Sequence, residues 1–223
     1  MLHSTRVVFF DVDGVLVDSL PQHLQLCEDK AKEFGLAMRI PTVDEFRLMV
    51  SRGVRVSPMR QFFLAVGFPP ECVDKAVADY EREFMGNYRP EAFPGVGGML
   101  RQLSIANWKL GLVTSNTRAN VEPALGSLMV LFEPKCVFFY DMYPTPPSKS
   151  WCIARGIESV GSYTESCVYV GDQPADEVAA REAGVPFLAV TYGWGFLRQD
   201  GRTSIANSVA EIPPALELVV PST

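Results

Sequence analysis

Histidine is nearly missing from this chain, which has only His3 and His23. Imidazole-based metal centres and Ser/His/Asp relays need more than that, so any chemistry must run on carboxylates, hydroxyls and lysines. Cysteine is sparse as well. Cys27, Cys72, Cys136, Cys152 and Cys167 make an odd set with no CxxC spacing, which argues against a disulfide framework or a thiolate zinc site and leaves free thiols. No run of lysine or arginine occurs, and the formal net charge is -6. Both count against nucleic acid or an anionic membrane surface as a partner. The densest basic stretch is only Arg47, Arg52, Arg55 and Arg60. Long apolar runs are lacking too: residues 7–10 and 15–17 are broken by acids, so neither a signal-peptide core nor a membrane span fits, and the cytoplasm is the expected location.

What is present is the composition of an ordinary globular protein. At 223 residues, 48% hydrophobic and 21% charged, the chain can bury a real core and suits one α/β domain with a modest insertion. Residues 6–10 are β-branched and aromatic and stop abruptly at Asp-Val-Asp-Gly, the pattern of a fully buried strand running into a polar loop. The pattern recurs at 109–113 before Thr-Ser-Asn, at 137–140 before Asp-Met-Tyr-Pro, at 167–170 before Gly-Asp-Gln-Pro, and at 186–190. Helical stretches such as 97–103 and 175–183 lie between, so the expected fold is α/β, a Rossmann-like parallel sheet covered by helices on both faces. Ligands of such sheets sit beyond the carboxyl ends of the strands, where these polar tails would converge.

Residues 20–89 read differently, with helical signals and no convincing strand. Thr42 and Glu45 have capping-box spacing, Ser57-Pro58 pairs an N-cap candidate with proline at N1, and Val73, Val77, Tyr80 and Phe84 mark one helical face. The expected organisation is a catalytic core of residues 1–19 and 90–223, with a small all-helical domain of residues 20–89 inserted after the first strand. Its hinges would lie after Asp18 and at 88–95, where Pro90, Pro94 and Gly95 fall.

Asp11 and Asp13 stand two residues apart at the tip of the first strand. A calcium loop counted from Asp11 would need glycine sixth and glutamate twelfth, and the chain has Leu16 and Gln22. An Asx-turn with solvated acids is the ordinary alternative. Yet DVDGVLVDS resembles the first motif of the haloacid dehalogenase-like phosphohydrolases, of form DxDG(V/T)LxDS. The strand ending at Thr114-Ser115 is similar to the family's second motif, and Gly171-Asp172-Gln-Pro-Ala-Asp176, trailed by Ala183-Gly184, to its fourth. The helical insertion sits where that family carries a cap.

The resemblance implies a Mg²⁺-dependent phosphatase. Asp11 would be the nucleophile, forming an aspartyl-phosphate, and Asp13 the general acid and then base. Mg²⁺ would be held by Asp11, the Asp13 backbone carbonyl and Asp172, with Asp176 binding the metal or orienting its waters. Thr114 and the Ser115 N–H, at the start of the next helix, would bind phosphate; a Thr-Ser-Asn run is also an ordinary helix cap. The family's third motif supplies a lysine to the nucleophile and phosphate, commonly followed by prolines. Lys149 lies 23 residues before Asp172, but its prolines precede it, and a solvated surface lysine is the alternative.

Arg52, Gly53 and Arg55 form a candidate specificity loop able to grip a carboxylate or second phosphate, or else a solvated surface. His23 is expected on a helix surface. The implied partner is a small phosphorylated metabolite, in the manner of phosphoglycolate and sugar phosphatases, with the protein a monomer or homodimer. A β-phosphoglucomutase-like isomerase uses the same residues, and a catalytically silent phosphometabolite-binding protein would keep the fold.

Overall fold

The computed structural model describes residues 5–143, 148–198 and 204–221. Strand β1 (Val7–Phe10) leads through the short β2 (Val17–Asp18) into four helices, α1 (Leu20–Glu33), α2 (Val43–Ser51), α3 (Met59–Val66) and α4 (Pro70–Asn87). The short β3 (Glu91–Ala92) returns the chain to α5 (Val96–Ile105), β4 (Lys109–Val113), α6 (Arg118–Leu125) and β5 (Phe132–Phe138). Then follow α7 (Lys149–Ser159), β6 (Cys167–Gly171), α8 (Pro174–Ala183), β7 (Phe187–Val190), β8 (Ile205–Ala206) and α9 (Ile212–Val219).

Six strands form one parallel sheet in the order β5-β4-β1-β6-β7-β8. The central strand is buried on both faces, and its side chains alternate between two cores. Val8 and Phe10 pack with Val96 and Leu100 of α5, Val121 of α6 and Ile212 and Leu216 of α9. Val7 and Phe9 pack with Cys152 and Ile153 of α7 and Ala179 and Ala180 of α8. From β1 the connections run outward in both directions, to β4 and β5 on one side and to β6, β7 and β8 on the other. The carboxyl ends of β4, β1 and β6 therefore lie side by side at the point where the strand order reverses.

Helices α1–α4 bury a hydrophobic cluster of their own, built on Phe46, Phe62, Phe63, Val73, Tyr80 and Phe84, and Trp194 from beyond β7 joins it. The chain enters and leaves this layer through one antiparallel pairing, Val17 with Ala92 and Asp18 with Glu91, which ties both crossings together. Thr42 and Glu45 make the expected capping box at α2. Among the described residues, no helix is long and apolar enough to cross a membrane.

Three local expectations need correction. Helix α3 begins one residue late, with Pro58 in extended conformation as N-cap and Met59 as first residue. The strand expected at 137–140 is β5, which starts five residues earlier and ends at Phe138. Pro134 and Lys135 disguised it, and an edge strand tolerates both because one side of its backbone needs no partner. His23 is not a helix-surface residue. It is buried, with ring centroids 4.3 Å from Phe84 and 5.1 Å from Trp194, and its Nδ1–H donates to the Ser19 carbonyl at 2.7 Å.

Candidate active site

Phe10 is in register with Leu112 of β4 and Val170 of β6, so Asp11, Thr114 and Asp172 leave three adjacent strand ends into one space. After Asp11 the chain folds back tightly, the Val12 carbonyl accepting from the N–H groups of Leu16 and Val17. Gly14 makes this possible: its φ is +78°, and a Cβ there would lie 2.0 Å from Asp172 Oδ2. Only glycine allows the two loops to approach so closely.

Lys149, the first residue of α7, reaches into the site. Its Nζ donates to Asp11 Oδ2 at 2.8 Å and to Asp176 Oδ1 at 2.8 Å. Its side chain is only 14% exposed, so it is no solvated surface lysine. The prolines 144, 146 and 147 that precede it lie outside the described residues. Asp176 is held on both oxygens: Tyr169 Oη donates to Oδ1, and the backbone N–H groups of Asp172 and Gln173 to Oδ2. Asp172 is held on one. Its Oδ2 accepts from the Trp194 N–H at 2.5 Å, while its Oδ1 is buried with no hydrogen-bond partner among the described residues.

Oxygens of Asp11, Asp172 and Asp176 lie within 4.8 Å of one another. Burial pushes Asp11 up from 3.8 to about 7, with Lys149 pulling it down and Asp176 pushing it further up. Burial also drives Asp172 well above its ordinary value, and the charges of Asp176 and Asp11 add to the rise. Burial pulls Lys149 down, but the Asp11 and Asp176 carboxylates outweigh it and keep the ammonium charged. Three carboxylates against one ammonium leave an excess of buried negative charge, and the donors are all hard oxygens. An orphaned carboxylate oxygen within such a set fits a hard divalent cation such as Mg²⁺.

Asp13 stands beyond Asp11 at the edge of the cleft. Ser19 Oγ donates to its Oδ1 at 2.5 Å and Asn116 Nδ2 to its Oδ2 at 2.9 Å. Thr114 Oγ1 accepts from the Asn116 N–H at 3.1 Å, which leaves its hydroxyl hydrogen for a ligand. Ser115 does not open a helix, contrary to expectation. The side chains of Thr114 and Asn116 take the N–H groups of Asn116 and Thr117, and α6 starts only at Arg118.

Asp11, Asp13, Thr114, Asn116, Lys149 and Asp176 line a cleft of about 1190 Å³ between the strand ends and α1–α4. Gly53, Arg55 and Tyr80 face it from the helical side, and Ser115 from the sheet side. Arg52 does not line it: the residue caps the end of α2 and is exposed. The other arginines of the basic stretch are engaged, Arg47 with the Thr191 carbonyl and Arg60 with Asp74. Asn116, Asn120, Tyr169 and Trp194 were not singled out from the sequence, and Ser19 entered only as the last residue of DVDGVLVDS. Asn116 and Asn120, four apart where a strand passes into a helix, offered the one readable signal.

A buried carboxylate paired with a buried ammonium, beside a second acid with an unpartnered oxygen, lies at the switch point of a parallel sheet. The haloacid dehalogenase-like hydrolase family model matches residues 8–190, and the chain belongs to that family. It is 32% identical to a phosphoglycolate phosphatase of Caulobacter vibrioides, over 93% of this chain and 89% of that one. With a phosphoglycolate phosphatase of Xanthomonas campestris pv. campestris it shares 30% identity, over 95% and 94%. A haloacid dehalogenase-like hydrolase from Streptococcus pneumoniae has the same fold, with a TM-score of 0.76 at 23% identity, covering 96% of this chain and 99% of that one. The protein is a phosphatase of this family.

Proposed function

We propose that the protein is a Mg²⁺-dependent phosphatase that hydrolyses a small phosphomonoester through an aspartyl-phosphate on Asp11, with a phosphoglycolate- or sugar-phosphate-like substrate. The observation that carries this reading is Asp11 itself: a buried carboxylate paired to Lys149 at 2.8 Å, beside the unpartnered oxygen of Asp172. Similarity to phosphoglycolate phosphatases supports the substrate class.

Asp11, the Asp13 carbonyl and Asp172 would hold the cation. Bound there, Mg²⁺ offsets the repulsion between the nucleophile and a phosphate dianion. Each Asp176 oxygen already takes two protein donors, against one on each Asp11 oxygen, so Asp176 orients Lys149 and the Asp172 loop. Asp11 attacks phosphorus and the ester oxygen leaves with a proton from Asp13. Asp13 then takes a proton from the water that breaks the acyl-phosphate. The Thr114 hydroxyl and Lys149 ammonium hold phosphate oxygens as charge redistributes. Helices α1–α4, residues 20–89, act as the cap that excludes water until the aspartyl-phosphate has formed. Gly53 and Arg55 meet the part of the substrate that does not react.

The test is phosphate release from a panel of small phosphomonoesters with Mg²⁺ or with EDTA, beside Asp11→Asn. Release that requires Mg²⁺ and disappears in the variant is expected. Release indifferent to either change overturns the reading, as does no release by folded protein.

A further inference from the structure

The loop after β7 belongs to two parts of the molecule at once. Its backbone wraps Asp172: the N–H groups of Gly195 and Phe196 donate to the Asp172 carbonyl at 3.1 and 3.0 Å, and the Trp194 N–H donates to Oδ2 at 2.5 Å. The indole of Trp194 lies elsewhere. It is 6% exposed and sits in the hydrophobic cluster of α1–α4, with ring centroids 5.1 Å from His23 of α1, 5.9 Å from Phe46 of α2 and 5.9 Å from Phe62 of α3.

The two attachments leave little slack. A Cβ on Gly195 would lie 2.8 Å from Val50 Cγ1 of α2 and 3.0 Å from the Asp172 carbonyl oxygen, so the loop is pressed between the helical layer and the strand end. Arg47, also on α2, donates to the Thr191 carbonyl where the loop begins. The Gly195 and Phe196 bonds hold the far half of the loop to the sheet side, whereas the place of Trp194 is set by the pocket that its ring fills. Among the described residues the Trp194 N–H is the one hydrogen-bond donor to the Asp172 carboxylate. The donor that orients a ligating carboxylate governs its affinity for the metal.

We propose that Trp194 is a positioning residue for the cation site: the aromatic cluster of α1–α3, acting through the indole, holds the Trp194 N–H on Asp172 Oδ2 and keeps the unpartnered Oδ1 free for the metal. The proposal rests on the Mg²⁺ site of the proposed function and extends it. Affinity for the cation depends on packing within residues 20–89, although Asp11, Asp13 and Asp172 all belong to the catalytic core. Phe46 reaches Asp172 through Trp194.

Isothermal titration calorimetry of the full chain with Mg²⁺, in the absence of substrate, reads that affinity. Trp194→Ala removes the indole and keeps the backbone N–H. Phe46→Leu loosens the pocket around the indole from α2 and serves if the first variant does not fold. Phe68→Leu is the control: Phe68 is 2% exposed in the same cluster, and its ring packs on Phe34 and Phe63 at 6.4 and 5.1 Å between centroids. Trp194→Ala and Phe46→Leu should each raise the Mg²⁺ Kd about tenfold, and Phe68→Leu less than about twofold. An unchanged Kd in a folded Trp194→Ala or Phe46→Leu protein overturns the proposal. So does a rise in Phe68→Leu equal to that in Phe46→Leu, which would mean only a general loosening of the helices. Either result leaves the phosphatase reading intact, whereas wild-type protein that binds no Mg²⁺ overturns this proposal and the Mg²⁺ site together.

Discussion

Lys149 Nζ and Asp11 Oδ2 lie 2.8 Å apart across 138 positions of sequence. The pair sets the charge on the candidate nucleophile, since the ammonium is the largest influence opposing the burial and the Asp176 charge that raise Asp11. Lys149→Met should therefore lower kcat on the order of 10²- to 10³-fold. Phosphate-release kinetics check this, and a loss below about threefold would mean that the lysine is structural.

Asp172 Oδ1 is a buried acceptor with no hydrogen-bond partner among the described residues. An isolated loss of this kind costs about 1–3 kcal/mol, which a bound cation would recover. Mg²⁺ should raise the unfolding temperature of the wild-type protein, and Asp172→Asn should remove most of that rise. Differential scanning calorimetry with and without Mg²⁺ reads both. An equal rise in the variant would place the cation elsewhere.

The acids also make metal-free stability depend on pH. Asp11 is raised from 3.8 to about 7, so between those values the folded state holds a proton that the unfolded chain has released. Stability therefore falls as pH rises through that window when no metal is bound. A bound cation requires the ionised form, so its stabilising effect should grow over the same window. Melting at about pH 5 and about pH 7.5 should show the larger Mg²⁺-induced rise at the higher pH, and Asp11→Asn should reduce the difference.

Arg55 is exposed, lines the cleft and has no ion-pair partner among the described residues. If it meets the non-reacting end of the substrate, Arg55→Ala should raise KM for a carboxylate-bearing ester about tenfold while changing kcat little. Arg52→Ala, on the exposed end of α2, serves as the control and should leave both constants close to wild type.

Much of this architecture was legible because a parallel sheet writes its strands as unbroken apolar runs with polar tails. Residues 7–10 and 167–171 are fully buried, and their tails carry Asp11 and Asp172 to one space. Contacts made by tertiary packing alone left no trace of this kind. His23 looked like a surface residue because nothing near it in sequence announces the Trp194 ring that covers it. Tyr169 read as one more strand aromatic, although its hydroxyl holds Asp176. The two-residue strands β2, β3 and β8 are too short for periodicity to register.

The central claim is that Asp11 becomes phosphorylated, and the most direct test is to trap it. The protein would be mixed with a phosphomonoester and Mg²⁺, quenched in acid, and reduced with borohydride, which converts an aspartyl-phosphate to homoserine. Peptide mass spectrometry then locates the modified residue. The account predicts homoserine at position 11, none with EDTA, and none elsewhere in the chain. Phosphate release without any modification at position 11 would contradict it.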